Sequence, residues 1–117
     1  MRRKARRTLD TALRLLDQGR LDDGVSRLYF AVFQAAVYGL GRMGREPEDA
    51  GRGRPYWRHR AVVREVASIR GRREDQRLIE TLRRLRNVAD YREGAAPRKK
   101  IEFLRHEATR FVDEVTR

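Results

Sequence analysis

Apolar residues recur along this chain at intervals of three and four, the spacing of one face of an α-helix. Between Arg3 and Gln18 the stripe is Ala5, Leu9, Ala12, Leu13 and Leu16, and Gly19 supplies a stop because it tolerates the left-handed conformation that ends helices. A second helix opens at Leu21-Asp22-Asp23, with carboxylates at the positive end of the helix dipole, and runs to about Leu40. Its wide apolar face is Val25, Leu28, Tyr29, Val32, Phe33, Ala36 and Leu40, and Leu28 to Leu40 carries no formal charge. A helix that is apolar nearly all round belongs at the centre of a bundle or in an interface. The stretch from Gly41 to Pro55 is rich in Gly and Arg, holds two of the three prolines and lacks periodicity, so it reads as a flexible loop.

A third helix is expected over Tyr56 to Ile69, with Val62, Val63, Val66 and Ile69 inward and Gly71 ending it. A fourth spans about Glu74 to Arg92, where Leu78, Leu82, Leu85 and Ala89 share one face and Gly94 stops the run. Pro97 suits the first turn of a fifth, in which Ile101, Leu104, Ala108, Phe111 and Val115 recur at seam spacing. Nothing alternates as a strand would. The pattern predicts a single all-α domain over residues 1–117, an antiparallel up-and-down bundle of about five helices with a basic N-terminal tail at 1–7.

Composition changes the picture in three ways. Twenty-nine Lys and Arg against 17 Asp and Glu leave a net charge of +12 on 117 residues, nearly all of it from Arg, since Lys4, Lys99 and Lys100 are the only lysines. Such a chain attracts polyanions, and nucleic acid is the leading class of partner; a solvated, composition-biased surface is the alternative. The absence of Cys excludes disulfides, thiolate metal sites and thiol nucleophiles. No apolar run could span a membrane, and Asp10, Arg14 and Asp17 interrupt any signal-type stretch after the basic start, so a cytoplasmic, membrane-free protein is expected.

Candidate chemistry centres on the fourth helix. Arg83, Arg86, Asn87, Asp90 and Tyr91 are partly aligned by spacings of three and four, with Arg86 and Asp90 placed to pair and Asn87 beside Tyr91. An Arg so held can present a fixed cation to a phosphate. The competing reading is a solvated helix face with one ion pair. A second candidate is Trp57-Arg58-His59-Arg60, where two flanking Arg should keep His59 neutral and Trp57 could stack on a base, or else anchor the third helix to the core. His106 reads as a surface residue. Ser26 and Ser68 lie inside helices without the elbow a nucleophile needs, and Tyr29, Phe30 and Phe33 read as core more readily than as a ligand platform. No His or carboxylate cluster has metal-ligand spacing, and no cofactor is implied.

Two motifs carry a resemblance. The stretch Asp22-Asp23-Gly24-Val25-Ser26-Arg27-Leu28-Tyr29-Phe30-Ala31-Val32-Phe33-Gln34-Ala35-Ala36 resembles the second-helix signature of HEPN domains (higher eukaryotes and prokaryotes nucleotide-binding). Leu85-Arg86-Asn87-Val88-Ala89-Asp90-Tyr91 resembles the late-helix signature of the branch that reads Arg, two variable residues, Ala-Asp-Tyr, and His59 with Val62-Val63 is similar to a His that opens the intervening helix there. The resemblance implies an all-α bundle that dimerises. Many members are metal-independent ribonucleases, often toxins of toxin–antitoxin pairs, with a minimal nucleotidyltransferase as partner. Their catalytic signature is an Arg followed within a few residues by a His. Arg86 matches the Arg and Asn87 the polar residue often beside it, while Tyr91 stands where a His is expected. A phenol with a pKa near 10 is a poor substitute for imidazole at neutral pH, so binding of RNA or a nucleotide through Arg83, Arg86, Asn87, Asp90 and Tyr91 is expected before turnover. A ribonuclease using Arg86 and Tyr91, with His59 in place of the missing His, is one alternative. A protein-interaction module that docks through the charge-free face of the second helix is the other.

Overall fold

The structure is a computed structural model that describes residues 1–47, 57–87 and 98–117. These residues form five helices and no strand: α1 (Arg2–Asp17), α2 (Leu21–Arg42), α3 (His59–Arg70), α4 (Arg73–Asn87) and α5 (Arg98–Val115). The expected last turn of the fourth helix, with Ala89, Asp90 and Tyr91, lies outside the described residues, as do Gly94, Pro97 and most of the loop expected after α2.

Gly19 and Gly71 terminate helices as their positions predict, with φ of +78° and +66°. The boundaries differ where local chemistry outweighs pattern. Residues 2–7, expected as a basic tail, are the opening turns of α1, because Ala5 is fully buried and two of the arginines have a partner just past the end of α5. Arg2 Nε donates to the Thr116 carbonyl (2.6 Å) and Arg6 Nη1 to the Thr116 hydroxyl (3.0 Å). α2 continues through Gly41 and Arg42 into the stretch expected as loop, and α3 begins at His59 rather than Tyr56, since Arg58 is extended.

α2 is the central element and packs against each of the other four helices. That is why its sequence carries so little charge: ten of its residues are buried. α1 lies antiparallel to it in close contact, and Gly24 makes the approach possible. A Cβ at Gly24 would sit 2.5 Å from Leu16 Cδ2. α1 also runs antiparallel to α5, pinned at one end by Thr116 and at the other by an Arg105–Asp17 ion pair of 2.6 Å. Leu28, Val32, Val62, Ile79, Leu82, Ala108 and Phe111 are fully buried and fill the centre.

One buried charge holds α4 to α5. Asp75, in the first turn of α4, is fully buried, and Arg110 Nη2 reaches its Oδ1 at 3.3 Å. Arg110 also pairs with Glu107 (3.2 Å) and Glu114 (2.9 Å), and Glu114 is in turn contacted by Arg70 at the end of α3. A buried carboxylate is tolerated only with such a partner.

Candidate functional site

One strip of α2 carries Ser26, Phe30, Phe33 and Val37, spaced by four, three and four, with its three apolar side chains packed at the margin of the core. These side chains are only partly buried. α4 packs alongside α2, and its final turn delivers Arg86 onto this strip. The Arg86 guanidinium carbon lies 4.6 Å from the Phe30 ring centroid and 5.4 Å from that of Tyr29. Arg86 Nε donates to the Ser26 hydroxyl at 3.3 Å. A ring face attracts a cation through its quadrupole, so two rings and one hydroxyl fix the direction of a side chain that is itself exposed. Among the described residues no hydrogen bond engages the Nη groups.

Tyr29 joins this cation to His59. Its ring packs edge-on to Phe30 (5.4 Å between centroids) and tilted against Phe33 (5.9 Å) and His59 (5.8 Å). Its hydroxyl lies 2.9 Å from His59 Nδ1. Tyr29 is only 5% exposed, and the contact satisfies it in either sense, with the phenol O–H donating to a bare Nδ1 or an Nδ1–H donating to the phenol oxygen. Burial and then the charge of Arg83 hold the His59 pKa below its ordinary value, with Glu80 opposing them. Burial raises the Tyr29 pKa, against the nearby charges of Arg83 and Arg86.

The structure thus brings Arg83, Arg86 and His59 together around Tyr29, from α4 and α3 onto α2. Asn87 is exposed at the end of α4. Asp90 and Tyr91 lie outside the described residues. His59 resists protonation as expected, but through burial and Arg83 rather than through its chain neighbours Arg58 and Arg60. Trp57 packs partly buried against the core, and His106 is exposed. Ser26, which has no nucleophilic elbow, is a hydroxyl that holds a guanidinium. Its signal lay in the four-residue step from Ser26 to Phe30, which puts the two on one strip of α2. Phe30 packs at the margin of the core, as expected, and also lies under the guanidinium.

Among the described residues no helix is long and apolar enough to cross a membrane, and no group of three potential ligands could hold a metal ion. No curated protein and no solved structure matches this chain. The sequence model of the family described as HEPN domain matches residues 1–117. With that match over the whole length and the five-helix bundle beneath it, the chain belongs to the HEPN domain family, helical modules of nucleotide- and RNA-related function.

Proposed function

We propose that this protein binds RNA or a nucleotide through a phosphate seated on Arg86, with Arg83 and Asn87 beside it and Asp90 and Tyr91 completing the site. The observation that carries this reading is the posture of Arg86, an exposed guanidinium fixed by Ser26, Phe30 and Tyr29. A fixed fork loses little rotamer freedom on binding and offers paired N–H donors that match two phosphate oxygens. Arg83 adds a second charge within electrostatic reach of the same residues. Membership in the family supports the further expectation that the protein acts as a homodimer with a nucleotidyltransferase partner, as a toxin-like or regulatory component.

Binding is favoured over cleavage by the state of His59. Cleavage of RNA without a metal requires a base to take the 2′-hydroxyl proton as that oxygen attacks phosphorus, and an acid to protonate the departing 5′-oxygen. The Tyr29 hydroxyl engages Nδ1, so only Nε2 is left to face a substrate, and burial with the charge of Arg83 disfavours the protonated imidazole that the acid role needs. The second reading, a metal-independent ribonuclease, draws on the same Tyr29, which places His59 in one cluster with Arg86.

Fluorescence anisotropy with a labelled single-stranded RNA tests the proposal. Salt-dependent binding that Arg86→Gln weakens at least tenfold supports it, and equal binding by wild type and variant refutes it. Incubation of the RNA in EDTA separates the two readings. Cleavage lost in both Arg86→Ala and His59→Ala would establish the ribonuclease.

A further inference from the structure

The basic run at the start of α1 divides into two sets. Arg2 and Arg6 turn toward α5 and are taken up by Thr116 and Asp113. Arg3, Lys4 and Arg7 are exposed, as is Arg14 two turns further on, and among the described residues none of these four side chains has an ionic or hydrogen-bonding partner. Arg3, Arg7 and Arg14 follow one another by four and seven residues and so lie along one line of the helix surface. At 1.5 Å per residue this line is about 16 Å long. The exposed carboxylate of Asp10 lies on the same line, three residues after Arg7 and four before Arg14, so the line carries three cations and one anion, while Asp17 is held by Arg105.

The helix that carries the stripe is tied to the Arg86 site through α2, by a residue about a third of a turn round from the stripe. Thr8 of α1 donates to Gln34 Oε1 at 2.8 Å, and Gln34 stands one turn after Phe30, on which Arg86 rests. α1 and α4 therefore flank the same strip of α2, with half-buried rings at Phe30 and Phe33 between them. From α4 across α2 to the outer side of α1 is about two helix diameters, roughly 20 Å. A mononucleotide at Arg86 cannot reach that far, whereas a strand of several nucleotides can.

We infer that the exposed face of α1, Arg3, Arg7 and Arg14 with Lys4 at its edge, is a backbone track for single-stranded RNA whose other end is held at Arg86. The inference rests on the reading of Arg86 as a phosphate contact, and it makes the ligand an RNA strand rather than a free nucleotide. Guanidinium groups along a line contact successive phosphates without reading bases, and rings beside them can stack on unpaired bases. An anionic membrane is the other polyanion such a stripe could meet. A membrane-surface helix inserts its apolar face, however, and in α1 that face (Ala5, Leu9, Ala12, Leu16) is buried in the core.

The test compares a 12-nucleotide unstructured RNA with a trinucleotide across a salt series, using the full chain. In the Arg3→Gln/Arg7→Gln/Arg14→Gln variant, affinity for the 12-mer should fall at least tenfold. The slope of log K against log salt should flatten by about 2, three contacts at roughly 0.7 each. Trinucleotide binding should not change. An Arg73→Gln/Arg77→Gln/Lys100→Gln control removes the same charge elsewhere and should leave the 12-mer slope as in wild type. Equal losses in variant and control, an unchanged 12-mer affinity, or tighter binding to phosphatidylserine vesicles than to the 12-mer would each overturn the track. Arg86→Gln tells the two readings apart. If it spares both RNAs while the α1 variant still loses the 12-mer, the Arg86 site fails and the track stands.

Discussion

The Tyr29 hydroxyl and His59 Nδ1, on α2 and α3, are 2.9 Å apart, and this bond joins the entry of α3 to the aromatic floor beneath Arg86. Burial and then the charge of Arg83 favour the neutral imidazole in this pair, lowering its pKa from 6.5. Above about pH 6.5 the folded and unfolded chains are both neutral at this position, and the contact is intact. As pH falls below that value the unfolded state takes up a proton first, so stability is lost down through the lower folded pKa. Thermal melts from pH 7.5 to 5 should show a decline in Tm that is shallower in His59→Gln. Parallel curves for the two proteins would contradict the assignment.

Arg86→Gln should separate binding from folding. The side chain is exposed, and its contacts with Phe30 and Tyr29 are worth about 0.5–1 kcal/mol. Stability should change by no more than that while RNA affinity collapses. Arg86→Lys should not restore affinity, because an ammonium cannot form the paired contact. Urea denaturation alongside anisotropy checks both statements.

Phe30→Leu keeps an apolar side chain on the α2 strip but removes the ring face under the guanidinium. RNA binding should weaken by about two- to fivefold, the equivalent of roughly 0.5–1 kcal/mol. The loss should vanish when the same change is made on an Arg86→Gln background. An undiminished effect there would mean that Phe30 acts on the RNA directly.

Arg110→Ala leaves the Asp75 carboxylate buried without its cation, and about 3–5 kcal/mol of stability should be lost. Adding Asp75→Ala should recover part of that loss, since the penalty lies in the orphaned charge. A double-mutant cycle by chemical denaturation measures the coupling.

Gly24→Ala sets a gain in helix propensity of about 1 kcal/mol against a clash with the Leu16 side chain. Overpacking costs typically about 1–3 kcal/mol, so the variant should be the less stable protein. Gly41→Ala, with open space around the added methyl, should be neutral or stabilising by comparison.

The architecture was legible in the linear pattern because helix faces are set by local periodicity. The central position of α2 followed from its lack of charge between Leu28 and Leu40, and the breaks at Gly19 and Gly71 followed from the conformations glycine permits. The composition of the site was half legible. Arg83, Arg86, Asn87 and His59 could be singled out by residue type and by their resemblance to a family motif. Ser26 and Phe30 could not be tied to Arg86, which is 60 positions beyond Ser26 in the chain.

Spacing along the chain thus specified five amphipathic helices, their order and the family to which they belong, since each depends on neighbours within a few residues. Which rings lie under Arg86, which nitrogen of His59 is occupied, and which arginines of the first turns face α5 rather than solvent depended on how the helices dock. Those contacts join residues 30 to 114 positions apart, and periodicity within one helix carries no information about the rotation of another helix packed against it.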